Sequence, residues 1–299
     1  MDNNSPGLED RDGKNFAHIP VLSQEIITGL EIRQGGHYLD ATVGGAGHSQ
    51  LILSAAVDIK LTAIDQDEDA LKAAENNLSQ YAEQINFIHS NFANYQFPEN
   101  KFHGIIADLG VSSYHLDMPH RGFSFRQEGD LDMRMNQKQE LTAAQIVNHW
   151  DEAQLADIFF KYGEERLSRR IARRIVEKRP FSKTLELAET VAGAVPKKYR
   201  YGRIHPATRV FQGLRIAVND ELNVLETLIE KAPSSLAVGG KIAIISFHSL
   251  EDRLVKHGLR NSPLLKVLTK KPITATQEEI NRNVRSRSAK LRIAQRIDE

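Results

Sequence analysis

Between residues 37 and 108, short β-prone apolar runs alternate with helical or turn segments: HYLDAT (37–42), LTAID (61–65), INFIH (85–89) and FHGIIAD (102–108). Strands buried on both faces read as near-continuous apolar runs, so this rhythm predicts a parallel sheet. Between the second and third runs, Ala70, Leu71, Ala74 and Leu78 recur at helical spacing, which predicts a crossover helix over 68–81. The rhythm stops near Gly110. From there to Tyr201 the apolar residues recur only at helical spacing, over 140–148, 152–160, 164–176 and 184–194.

The α/β rhythm resumes near Pro206, a residue suited to the first helical position because its missing N–H is not needed there. Ala207, Val210, Phe211, Leu214, Ala217, Val218 and Leu222 give that helix one apolar side. After a turn at Gly239-Gly240, KIAIISF (241–247) reads as a buried fifth strand, and Ser249 with Asp252 resembles a capping box opening the next helix. LLKVLTKKPI (264–273) and the alternating AKLRIAQRI (289–297) predict an antiparallel final pair. The pattern therefore predicts an α/β domain in two pieces, 18–112 and 206–299, interrupted by a mainly helical insert over 113–205. Residues 1–17, rich in Asn, Asp and Gly, read as a flexible start.

Composition sharpens this outline. The chain has no cysteine, which excludes disulfides, thiolate zinc sites, cysteine-ligated iron–sulfur clusters and a thiol nucleophile. No apolar run is long enough to span a bilayer, and no signal peptide opens the chain, so a cytoplasmic location and no membrane partner are expected. The net charge of zero hides a gradient: residues 1–160 hold 10 Lys/Arg against 24 Asp/Glu, whereas residues 161–215 hold 15 against 5. An acidic body carrying a basic segment points to a polyanionic partner.

DATVGGAGHS (40–49) lies between the first strand and a helix, where successive glycines let backbone N–H groups approach a ligand at the sheet edge. Asp65 ends the second strand 18 residues after Gly47, where a carboxylate can accept both ribose hydroxyls of a nucleoside cofactor. The dinucleotide pattern G-x-G-x-x-G fails, because Gln50 stands in the last glycine position. S-adenosylmethionine has no pyrophosphate and needs the same ribose acid, so it fits better than a nicotinamide cofactor. Asp108 ends the fourth strand on the same edge, and Asn91-Phe92 after the third strand places a ring near an adenine. Five histidines, His37, His48, His89, His115 and His248, show no compact ligand spacing, so no zinc is predicted. His248, between a strand and a helix, reads either as a substrate contact or as a turn residue.

In order along the chain stand HIPVL (18–22), DATVGGAGHS (40–49), AIDQD (63–67), DLGVSSYHLD (108–117), RGFSF (121–125), LDMRM (131–135), YGEER (162–166), RRIARRIV (169–176), HPATRVFQGLRIAVNDEL (205–222), GGKIAIISFHSLEDRLVK (239–256) and RSRSAKLR (285–292). This ordered set resembles the family of ribosomal small-subunit RNA cytosine-N4 methyltransferases. The resemblance implies a class I S-adenosylmethionine-dependent methyltransferase fold, Rossmann-like, with a seven-stranded, mostly parallel sheet and an inserted, mainly helical domain. It implies N4 methylation of the cytidine corresponding to position 1402 of 16S rRNA, in an assembled or nearly assembled small ribosomal subunit. Carried over by motif, it implies cofactor contacts from Ala46, Gly47, His48, Asp65, Phe92, Asp108 and His115. It leaves the number of copies open, a dimer included. Two other readings stay open on the residues themselves: a nicotinamide-dependent oxidoreductase, and a noncatalytic RNA-binding assembly protein on the same scaffold.

Cytosine's exocyclic amine is a poor nucleophile, its lone pair being delocalised into the ring, so positioning is the main catalytic task. Asp108 is the candidate catalytic residue: it can accept an amine hydrogen bond and stabilise the positive charge that develops, or it can hold the methionine amino group. C5 methylation of cytosine proceeds through a cysteine adduct, which this chain cannot form. The D-P-P-Y signature of amino-methyltransferases is absent, since Leu109, Gly110 and Val111 follow Asp108, so Tyr114, Phe123 and Phe125 become the candidates for stacking on a flipped base. Arg166, Arg169, Arg170, Arg173 and Arg174 fall within about 140° on a helix of 3.6 residues per turn and predict an RNA face. His205, Arg209, Arg285, Arg287, Lys290 and Arg292 are further candidates for RNA contact.

Overall fold

A computed structural model describes residues 20–202 and 204–298; the flexible start expected over 1–17 lies outside the described residues. Seven strands form one sheet: β1 (His37–Asp40), β2 (Lys60–Asp65), β3 (Ile85–His89), β4 (Phe102–Asp108), β5 (Leu236–Ser246), β6 (Leu265–Val267) and β7 (Lys290–Arg296). Their order is β3-β2-β1-β4-β5-β7-β6. The first five are parallel, and β7 runs antiparallel to both β5 and β6. The order reverses beside β1, so β1 and β4 diverge into opposite halves and leave a crevice at their carboxyl ends, where open sheets bind ligands.

Two apolar clusters cover the sheet faces. One joins Ile26, Ile52, Leu61, Ile106, Ile245 and Leu291; the other joins Leu39, Ile64, Ile105, Leu228, Ile244 and Leu259. Alternate residues of β4 and β5 serve opposite clusters, as the two-residue period of a strand requires. A third cluster is mainly helical, joining Ile146, Phe159, Ile171, Val191, Val210 and Leu214. The helix Pro206–Asn219 belongs to this third core, whereas its place in the sequence rhythm assigned it to the sheet; its apolar side meets the helices Ala143–His149, Glu152–Lys161 and Thr184–Ala194. Helical cover of the sheet resumes with Glu221–Ser235.

Other departures from the sequence pattern have local causes. The helix expected over 164–176 starts at Ser168, because Glu164 sits at φ 50° in a turn that brings Gly163 against the neighbouring helix. A Cβ on Gly163 would lie 2.3 Å from the carbonyl oxygen of Arg209, so the close approach needs glycine. Gly239-Gly240 is no turn before β5 but an irregularity within it, where the pairing with β4 shifts register. A Cβ on Gly240 would lie 2.8 Å from the Ala237 carbonyl and 2.9 Å from that of Phe102. The helix Ser249–Asn261 is capped one residue earlier than the sequence suggested. His248 Nδ1 accepts from the Glu251 N–H, and Glu251 Oε2 accepts from the His248 and Phe247 N–H groups.

Candidate active site at the sheet edge

The carboxyl ends of β1, β2, β4 and β5 open into a cavity of about 310 Å³, within the size range of small-molecule sites. Its floor is the turn after β1. Buried Asp40 accepts from the Thr42 N–H at 3.1 Å and from Ser49 Oγ at 2.7 Å, and thereby ties the strand to the start of the next helix. Burial pushes the Asp40 carboxyl up to about 6, against those hydrogen bonds and His48. Gly44 adopts φ 49°, and the space beside Gly45 is open, so bare backbone faces the cavity there.

Asp65 stands across from this turn. Its Oδ2 accepts from the Gly44 N–H and its Oδ1 from the Asp67 N–H, both at 2.9 Å. Both oxygens are thus fixed by backbone and keep lone pairs for a ligand. Burial outweighs these bonds and raises its pKa. Beyond Asp65, Asn91 caps the single turn Phe92–Asn94 and donates to Gln66, which holds the Phe92 side chain at the cavity wall.

Asp108 ends β4. Its own N–H donates to Thr42 Oγ1 at 2.7 Å, which binds the β4 end to the β1 turn. Its Oδ1 is buried without a hydrogen-bond partner, and its Oδ2 lies 3.6 Å from His48 Nδ1. His48 Nε2 donates to the Val21 carbonyl at 2.8 Å, and burial keeps the ring neutral, so Nδ1 presents a lone pair to Asp108. Among the described residues no cation compensates the carboxylate. Burial first, and the Glu251 charge second, push Asp108 up to about 7.

Gly47, His48, Asp65, Phe92, Asp108 and His115 all line this one cavity, together with residues far from them in sequence. Ala46 does not. It lies buried beneath the turn at φ 68°, where it caps the following helix. His115 is present but spent: Nε2 donates to Asp67 at 2.6 Å, Nδ1 accepts from the Ser112 N–H, and Phe123 packs on the ring at 4.7 Å. Buried Arg121 completes this group with a 2.9 Å ion pair to Asp67. Burial opposes ionisation of Asp67, but His115 and Arg121 outweigh it and hold the carboxyl below its usual range. The helical segment after β4 is thus locked onto the loop that carries Asp65.

Sequence reasoning missed the far wall. Arg215 makes a two-pronged pair with Glu221, at 2.8 and 2.9 Å, and Glu251 lies beside it. Glu221, His248 and Glu251 place one ligand atom each within 4.8 Å of the others, the grouping of metal-ligand type found among the described residues. Both Glu221 oxygens nevertheless receive Arg215, and Glu251 Oε2 receives two backbone N–H groups, so the geometry is that of a charge-paired helix cap. All four residues stand in motifs already visible in the sequence, but Arg215 lies six residues from Glu221 and 36 from Glu251, and spacing alone does not bring them together. The aromatic candidates also moved. Phe123 is buried on His115, Phe125 packs between His205 and Phe211, and Tyr114 lies near Arg121; none of the three lines the cavity.

Arg166, Arg169, Arg170, Arg173 and Arg174 are all exposed on or beside the helix Ser168–Lys178. Arg173 lies 3.5 Å from Glu152 and Arg174 3.2 Å from Glu177. Arg287 is also exposed, whereas five other basic candidates are more committed. His205 caps the helix Pro206–Asn219, Arg209 donates to Tyr199, Arg285 pairs with Asp117, and Lys290 and Arg292 both pair with Asp252.

Residues 15–297 match the model of a family described as the MraW methylase family. The chain is 72% identical to the ribosomal RNA small subunit methyltransferase H of Nostoc sp. (strain PCC 7120), covering 94% of this chain and 93% of that one. It is 71% identical to the protein of that name from Nostoc punctiforme, over 94% of this chain and 95% of the other, and 62% identical to that from Trichodesmium erythraeum, over 94% and 99%.

Proposed function

The chain belongs to the MraW methylase family, and from that premise we propose that it transfers a methyl group from S-adenosylmethionine to N4 of a cytidine in 16S rRNA, the one corresponding to position 1402. Membership displaces the nicotinamide-dependent oxidoreductase and the noncatalytic assembly protein. The substrate is the small ribosomal subunit, assembled or nearly so, and the reaction belongs to the cytoplasm, where that subunit resides. No helix among the described residues is long and apolar enough to cross a membrane.

The observation that carries this reading is the buried, unpartnered Oδ1 of Asp108 at the end of β4, in one cavity with the open glycine turn and Asp65. A buried acceptor without a donor is costly, and such a group in a cleft is a candidate for ligand binding. The donor set fits the cofactor: Asp65 for the ribose hydroxyls, Phe92 for the adenine face, and the backbone of Gly45 and Gly47 for the amino-acid end. When bound, S-adenosylmethionine supplies an electrophilic methyl group on a sulfonium.

The chain's own residues do the rest. Asp108 as a carboxylate accepts one N4–H, which raises the electron density on nitrogen and stabilises the charge that grows there. A carboxyl near 7 matches the surrounding pH, so the same group can take the surplus N4 proton. Neutral His48 adds no competing charge, and Thr42 fixes the β4 end on which Asp108 is mounted. The helical segment 113–205 presents the RNA, with the exposed arginines after Gly163 placing phosphates and the cavity shape selecting the base.

The decisive experiment is transfer of labelled methyl groups to assembled and partly assembled small subunits, followed by nucleoside mapping. N4-methylcytidine at the expected position is the supporting result. Label on another base, or on C5, overturns the reading.

A further inference from the structure

Two aromatic side chains line the cavity among the described residues, and they stand at its two ends. Phe92 follows β3, beside the Asp65 end. Phe247 follows β5, on the far side of Asp108. Strands in a sheet lie roughly 4.8 Å apart, so four spacings from β3 to β5 put about 19 Å between the two ends. A nucleoside cofactor with its adenine at Phe92 and its ribose on Asp65 ends near β1 and β4. It leaves Phe247 facing whatever the methyl group is delivered to.

Resting on the function proposed above, we propose that Phe247 is the stacking platform for the target cytosine, with the Oδ1 of Asp108 receiving the N4–H of the base seated on it. The ring is half-buried and packs against Gly110, where a Cβ would lie 3.5 Å from Phe247 Cδ2. Gly110 itself adopts φ 91°, a conformation that keeps side chains off this spot and leaves the ring beside the end of β4. Leu109 donates its N–H to the Ile245 carbonyl at 3.0 Å, which keeps the stretches after β4 and β5 side by side. The Phe247 N–H donates to buried Glu251 at 2.8 Å, so the platform is mounted on a fixed helix cap rather than a loose loop.

This arrangement supplies what the sequence after Asp108 lacks. Amino-methyltransferases of the D-P-P-Y kind carry acceptor and ring on one strand end; here Asp108 comes from β4 and the ring from β5. Arg215 with Glu221, from the end of the helical core, stands beside Glu251, which also holds the Phe247 N–H, so the platform end of the cavity is the end that meets the helical core. An aromatic face with a single acceptor suits a flipped base: stacking is tolerant of sequence, and Asp108 demands a donor where cytosine carries its amine.

The test compares F247L and F247Y with the unchanged chain, on small subunits, with cofactor affinity measured separately by calorimetry. Leucine keeps apolar bulk and loses the aromatic face. F247L should lose roughly ten- to a hundredfold in kcat/KM for the subunit, the equivalent of one base stacked on a ring, while its cofactor affinity is retained. F247Y should keep most of what F247L loses. Equal losses in F247L and F247Y, no loss in F247L, or a parallel loss of cofactor affinity would each overturn the platform. If the unchanged chain yields no N4-methylcytidine, the function itself fails; if it does and F247L matches it, only the platform fails.

Discussion

Asp65 and Asp108 are the same residue type, at the ends of two strands on one sheet edge, both half-buried and both raised in pKa by desolvation. They differ in what their oxygens do. Each oxygen of Asp65 accepts a backbone N–H at 2.9 Å, whereas Oδ1 of Asp108 accepts nothing and Oδ2 faces a lone pair of neutral His48 at 3.6 Å. A carboxylate held by two amides is fixed in place and suited to binding. A carboxyl without donors, near 7, holds capacity in reserve for a ligand amine and its proton. On the function proposed above, the contrast assigns binding to one end of the cavity and chemistry to the other.

Removing the Asp108 charge is the largest break in this comparison. D108N keeps the shape and loses the carboxylate, and should lower the methyl-transfer rate by about 10²- to 10³-fold, the range for deleting one preorganised electrostatic contact. Cofactor affinity measured in parallel decides the role: a loss confined to the rate supports action on the amine, and an equal loss of affinity assigns Asp108 to the methionine amino group. The pH profile is the companion measurement. The rate of the unchanged chain should fall as pH drops through about 7, as Asp108 is protonated. Stability should move the opposite way. A carboxyl raised in the folded state binds its proton there and not in the unfolded chain between about pH 4 and 7, so folding loses that contribution as pH rises through this window. D108N should lose both dependences.

Asp65 sharpens the other half. D65N should weaken cofactor binding by roughly ten- to a hundredfold, the worth of a charged hydrogen bond at a buried site, while the rate at saturating cofactor stays near that of the unchanged chain. Titration calorimetry and single-turnover rates separate the two. A variant with intact affinity and a collapsed rate would reverse the assignment of the two ends.

The sheet was legible because its strands are local: each is a short apolar run, and the carboxyl ends that carry Asp65, Phe92 and Asp108 follow from strand order in a parallel fold. Gly47 and His48 were legible for the same reason, lying between a strand and a helix. What escaped is what depends on distant partners. Nothing local distinguishes Phe247 from a core phenylalanine, and nothing local says that His115 spends both nitrogens on Asp67 and Ser112. The pairing of Arg215 with Glu221 depends on a helix break at Asp220, which sits at φ 51° and turns the chain back. Ala46 was assigned to the ligand with its neighbours, but the turn that exposes Gly45 buries the residue after it.

The basic helix extends the comparison to the surface, where the same question of prior commitment sorts the arginines. Arg169 is exposed and free of ion pairs among the described residues, whereas Arg173 lies 3.5 Å from Glu152 and must release it to reach a phosphate. Exposed pairs are worth only about 0–1 kcal/mol, so this competition trims the contribution of Arg173 without abolishing it. Arg169→Gln should therefore weaken subunit binding somewhat more than Arg173→Gln, each by a few-fold at most. The double variant should flatten the dependence of log affinity on log salt by roughly 1.4 to 1.8, since each lost phosphate contact removes about 0.7 to 0.9. Cofactor affinity should not move, because the face lies outside the cavity. Lys290 and Arg292, both held by Asp252, should leave the slope almost unchanged when replaced. A salt slope that responds to Arg292 and ignores Arg169 would move the RNA path from the helical segment to the antiparallel edge of the sheet.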